Sequence, residues 1–355
     1  MSARRARSGA RILSIAADLY PGYFALVMAT GALSIALHLH GYEMPARALL
    51  ALNVLAYVVL GALLLLRLLC FPRRIAADMT EHARAPGFFT VVAGTCVLGT
   101  DLALAGGLIG PAMVLWEVGI ALGVLVMYSF FFAVVTRPEK PDLESGINGA
   151  WLIAAVAAQS VAILGAVLAP QTAHPQNALF FSLVMYMIGA MLYLSIITLI
   201  FYRLTFVHLT GATFGPPYWI NMGAVAITTL AGATLISRAP YSPLLRVLLP
   251  FLDGFTIFFW AAASWWIPLL FILMIWRHGL MRYPVRYEPQ YWSLAFPLAM
   301  YTTATLRLAD ELHIPPLAEI SRGFLWLAAL VWLVVFAGMI RSFLGGERQT
   351  SVSSV

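Results

Sequence analysis

Ten stretches of the chain stay apolar for about 20 residues or more, the length a helix needs to cross roughly 30 Å of hydrocarbon. They run over 20–40, 46–70, 87–107, 111–136, 149–169, 176–202, 217–236, 243–276, 290–307 and 317–343. The runs are continuous and lack the in-out alternation of barrel strands, so the pattern predicts an all-α integral membrane protein of ten transmembrane helices. Polar positions sort these stretches into two kinds. Even-numbered ones carry large apolar side chains, as in Leu63 to Leu69 or Phe324 to Val335. Odd-numbered ones mix small residues with neutral polar ones: Ala29-Thr30-Gly31, Ala93-Gly94-Thr95, Gln159-Ser160, Asn221-Met222-Gly223 and Tyr301-Thr302-Thr303.

The odd stretches also open alike. Each follows a Pro or Gly turn with aromatic residues: Tyr23-Phe24, Phe88-Phe89, Ala150-Trp151 (one aromatic short), Tyr218-Trp219 and Tyr291-Trp292. Between Phe24, Phe89, Trp151, Trp219 and Trp292 the intervals are 65, 62, 68 and 73 residues. A recurring period marks one supersecondary unit copied in series, and each copy holds two spans and a loop. Five copies of a helical hairpin would set the odd helices around an axis and the even helices outside. Small residues allow close helix approach in lipid, and their polar neighbours can bond across helices. Thr30, Gly31, Gly94, Thr95, Gln159, Asn221, Gly223 and Tyr301 are therefore either pore-lining or the glue of a tight bundle.

Composition agrees with a membrane solvent, with 62% hydrophobic residues, 10% charged and a mean hydropathy of +0.89. The net charge of +6 is mostly an orientation signal. Of 21 Lys and Arg, all but Arg47, Arg238, Arg246, Arg307 and Arg322 fall on one side of the ten-span map. The positive-inside rule then puts both termini in the cytoplasm, with the protein multi-pass in the plasma (inner) membrane. Scattered over short segments, these arginines argue against nucleic-acid binding. Residues 1–19 read as a basic cytoplasmic segment, 20–344 as the ten-helix transporter or channel domain, and 345–355 as a disordered Ser-rich tail. Two cysteines give neither a disulfide framework nor a metal motif. His38 and His40, two apart, do not share a helix face. No cofactor is implied, and the absence of H-E-x-x-H, C-x-x-C and G-x-S-x-G motifs argues against a polytopic enzyme.

Several segments together resemble the tellurite-resistance and C4-dicarboxylate transporter family, which includes fungal malate permeases, sulfite exporters and plant slow-type anion channels. They are Pro21-Gly22-Tyr23-Phe24-Ala25-Leu26-Val27-Met28-Ala29-Thr30-Gly31, Gly149-Ala150-Trp151-Leu152, Tyr218-Trp219-Ile220-Asn221-Met222-Gly223, Trp265-Trp266-Ile267-Pro268 and Tyr291-Trp292-Ser293-Leu294-Ala295-Phe296-Pro297. The resemblance implies five hairpins around a pore lined by the odd helices, a homotrimer with one pore per subunit, and small anions as substrates: malate, sulfite, tellurite, chloride or nitrate. It also implies that a phenylalanine on the ninth span occludes the pore, and Phe296 matches it. Pro297 cannot donate to the Ser293 carbonyl and should kink the helix beside that ring.

The middle of every odd span lacks Asp, Glu, Lys, Arg and His. A neutral pathway binds anions weakly, which suits permeation, so a channel is favoured over a proton-coupled dicarboxylate or sulfite carrier. Nearer the outer side lie Asp101, Glu117, Asp253 and Arg307. Unpaired charge at that depth is costly, so Arg307 is expected either to pair with one of the three acids or to snorkel to the interface.

Overall fold

The computed structural model describes residues 12–344, so the expected tail at 345–355 and the basic residues at 1–11 lie outside the described part. No strand occurs among the described residues. Ten long helices follow in order: α1 Ala25–Leu39, α2 Glu43–Cys70, α3 Phe89–Leu104, α4 Ile109–Thr136, α5 Ile153–Leu168, α6 Pro175–Phe206, α7 Ile220–Ser237, α8 Pro243–Ile275, α9 Trp292–Leu312 and α10 Pro315–Leu344. Counting the short turns that lead into them, nine among the described residues are long and apolar enough to cross a membrane. The helix that falls short is α9. Its 21 residues reach about 31 Å, but Tyr301, Thr302, Thr303, Thr305 and Arg307 dilute its hydropathy.

Odd and even helices occupy different layers. In α5 all 16 residues are buried. In α4, by contrast, only Ala112, Gly119, Val126 and Phe130 are buried, a single seam at intervals of seven, seven and four. The seam of α2, Ala46, Leu50, Asn53, Leu60 and Arg67, has the same period. A helix buried all round belongs to an interior, and one with a narrow buried stripe belongs to a periphery. Contacts give the arrangement: α1 touches α3, α3 touches α5, α5 touches α7, α7 touches α9, and α9 returns to α1. Each even helix packs on the odd helix before it.

The five aromatic openings fold as 3₁₀ turns, each running into an inner helix: Pro21–Phe24, Ala85–Phe88, Gly149–Leu152, Pro216–Trp219 and Pro289–Tyr291. In four, proline occupies the first positions, where its missing N–H would go unused and its fixed φ suits helix entry. The third instead uses Asn148, whose Oδ1 accepts from the Ala150 N–H at 2.8 Å. The turns touch one another in the same cyclic order as the helices they lead, forming a collar. Glycine makes this contact possible. A Cβ on Gly87 would lie 2.8 Å from the Gly22 nitrogen, and one on Gly149 would run into the Pro217 carbonyl.

Candidate functional site: the axis of the inner ring

Where the collar gives way to the inner helices, one small cavity is lined by all five. Ala25 and Met28 come from α1, Thr90 from α3, Ile153 and Val156 from α5, Ile220 from α7, and Ser293 and Phe296 from α9. These side chains form repeated levels. Ala25, Thr90, Ile153, Ile220 and Ser293 each stand one or two residues past the aromatic turn, and Met28, Val156 and Phe296 stand three further on. The cavity volume is about 10 Å³, room for roughly one water. An anion larger than that does not pass this arrangement without side-chain movement. The lining holds no charged residue. Its hydroxyls differ: Thr90 donates within the protein, to the Gly87 carbonyl at 2.7 Å, whereas Ser293 has no hydrogen-bond partner among the described residues.

Phe296 is 1% exposed. Its neighbour Pro297 lies against α7, where a Cβ on Gly223 would come within 2.7 Å of the proline ring. Gly223 thus seats the proline rather than lining the axis. Most of the other polar and small residues singled out from the sequence meet neighbouring helices too. Thr30 accepts from Trp332 Nε1 of α10 at 3.1 Å. Gly31 leaves room for the Asn53 amide of α2. Thr95 bonds Tyr57 of α2 at 3.0 Å, and Gln159 donates to the Tyr186 carbonyl of α6 at 3.0 Å. Tyr301 meets Ser264 of α8 at 2.8 Å. Gly94 faces the Phe24 carbonyl and Val27 of α1. Asn221 is buried, with neither side-chain polar atom partnered. Most of these polar groups therefore bond between layers, and the axial cavity is lined mostly by apolar side chains.

The expected ion pair from Arg307 does not form. Asp101 is fully buried and accepts from Ser34 of α1 at 2.7 Å, Glu117 is exposed on α4 and Asp253 is half-buried on α8. Similar depth does not bring them together, because they sit on different helices and faces. His40 bonds Ser321 of α10 at 3.2 Å, a structural contact.

Below the collar, four arginines at the ends of outer helices hold the chain leading into the first four of the five repeats. Arg67 donates to the Ala17 carbonyl at 3.2 Å, Arg203 to Glu144 at 2.7 Å and Arg277 to Gly211 at 2.9 Å. Arg137 donates to Thr80 in the same way. Each accepting carbonyl lies four or five residues before the next 3₁₀ turn. Arg67 also pairs with Asp78 at 2.7 Å, and Arg84 holds the other carboxylate oxygen at 2.8 Å. Partial burial, then the charge of Arg137, holds the His82 imidazole below its ordinary pKa.

A family model described as a voltage-dependent anion channel matches residues 18–340, nearly the whole chain. The chain belongs to the SLAC1 family. Within reach of that family, it is 24% identical to an uncharacterized transporter of Methanocaldococcus jannaschii, covering 92% of this chain and 95% of the relative. It is likewise 24% identical to a sulfite efflux pump of Trichophyton rubrum, over 90% and 89% of the two chains. An uncharacterized membrane protein of Mycobacterium tuberculosis is 39% identical, over 42% of this chain and 75% of its own. A membrane transport role for small anions follows for this SLAC1-family chain, and the inner ring is its candidate route.

Proposed function

We propose that the protein is a channel-like anion pathway through the axis of the inner ring, closed at rest by Phe296. The observation that carries this reading is a cavity bounded by all five inner helices, nearly filled, with the Phe296 ring among its walls. Pro297, held in the Gly223 notch, fixes the backbone beside that ring. On this reading α9 crosses the membrane as a tenth span, since it shares ring contacts with α1 and α7. The arginine bias puts both termini and the collar on the cytoplasmic side of the plasma membrane. All five inner helices then present N-termini inward, and their dipoles favour anions at that mouth. The substrates are small anions of the sulfite, dicarboxylate and inorganic class, and the assembly is a homotrimer with one route per subunit.

The test is current across planar bilayers containing the purified protein under single-anion gradients. Wild type should conduct little, and Phe296→Ala should conduct strongly with a reversal potential that follows the anion. Unchanged, near-zero current in the variant would sink the gate. A proton-coupled carrier is the second reading, favoured by Asp101, whose Oδ2 is buried without a partner. It would show instead as sulfite or malate flux in liposomes that depends on a proton gradient.

A further inference from the structure

We infer that Arg307 is an anion-gathering site at the end of the pathway opposite the collar. The inference rests on the conduction reading above and adds a residue that sets its rate.

The faces of α9 are assigned by their contacts. Tyr301 and Thr305 point to α8, the first meeting Ser264 at 2.8 Å and the second accepting from Trp260 Nε1 at 3.0 Å. The Thr302 carbonyl accepts from Ser321 of α10 at 2.7 Å, and Pro297 faces Gly223 of α7. The remaining face carries Phe296, Met300, Thr303 and Arg307. Eleven residues separate Phe296 from Arg307, about three helical turns with only about 20° of rotation. Since Phe296 lines the axial cavity, Arg307 stands over the same axis about 16 Å further along.

Its guanidinium is not held in a close ion pair, although its field reaches Glu311. Arg307 is half-buried and makes no hydrogen bond or ion pair among the described residues. The nearby acids lie about a turn further out: Asp310 is exposed, and Glu311 shares the fields of Arg307, Arg238 and His313. Thr303 cannot serve as a donor, because its hydroxyl is bonded to the Ala299 carbonyl at 3.1 Å. The guanidinium is therefore the innermost charged donor on this face, with N–H groups open to a chloride, nitrate or sulfite ion. A half-buried cation at the mouth of a narrow route raises the local anion concentration, most strongly at low salt.

The test uses the Phe296→Ala protein, with chloride as the probe. Adding Arg307→Gln should lower conductance about fivefold at 10 mM chloride and by less than about 1.5-fold at 1 M, where the field is screened. Arg307→Lys should keep most of the current. Arg322→Gln, which removes an exposed arginine paired with Glu319, should change nothing. Arg307→His supplies a titration within one folded protein, with low-salt current rising above the parent's own pH response as the pH on that side falls from 8 to 5. A conducting Phe296→Ala background whose current ignores the charge at 307 would overturn this inference alone. A silent background with Arg307 intact would overturn the conduction reading and this inference with it.

Discussion

Helices α4 and α5 are neighbours in sequence with nearly equal mean hydropathy, yet 94% of the central stretch of α5 is buried and only 17% of that of α4. In water the oilier helix goes inside. In lipid both environments are equally oily, so that preference disappears. What separates the two is side-chain size and donors. Alanine, glycine, Gln159 and Ser160 let α5 approach four neighbouring helices closely, while Val124, Leu125, Tyr128, Phe132 and Val135 project from the exposed side of α4. Inner helices are selected for fit, and outer helices for filling space.

That contrast can be broken at its centre first. Phe296→Ala removes the largest group from the axis and should raise anion conductance on the order of tenfold or more, read as bilayer current. Gly149→Val puts a side chain into the Pro217 backbone of the collar. It should destabilise the fold by about 1–3 kcal/mol, seen as a lower melting temperature in detergent. Between the layers, Trp332→Phe and Thr30→Val should each cost about 1 kcal/mol, and the double variant should cost no more than the larger single one, because both remove the same bond. On the outside the sign should reverse. Gly254→Ala and Gly323→Ala introduce a Cβ that meets nothing within 4 Å, so thermal unfolding should show no loss and up to about 1 kcal/mol of gain from helix propensity.

The repeat was legible because its marks are local. An aromatic pair after a Pro or Gly turn fixes a helix start whatever surrounds it, and all five marks became 3₁₀ entries. The layering was legible from small against large side chains. The azimuth of single residues was not, because a helix apolar on every side offers no moment to orient it. Thr30, Thr95, Gln159 and Tyr301 are polar and lie on inner helices, and this alone does not say whether they face the axis or the outer layer. The register of the repeat held that information: Ser293 follows Trp292 as Ala25 follows Phe24, and both line the cavity. Arg307 failed as an ion-pair member for a related reason, since depth along a helix was considered without its face. Arg67, Arg137, Arg203 and Arg277 read only as an orientation signal, because a hydrogen bond to a backbone carbonyl leaves no mark in the sequence.

The bond between Thr30 and Trp332 joins residues 302 positions apart, and the contact of α1 with α9 is equally remote. A ribosome adding about 5–20 residues per second makes the first partner wait on the order of 15–60 s for the second. Through that interval the nascent ring is an open arc with one flank of α1 against lipid or the insertion machinery. The five-membered ring closes only once α9 has arrived. On the proposed conduction reading, Phe296 is carried in on the same helix that shuts the circle, so the route would be completed and plugged in one step.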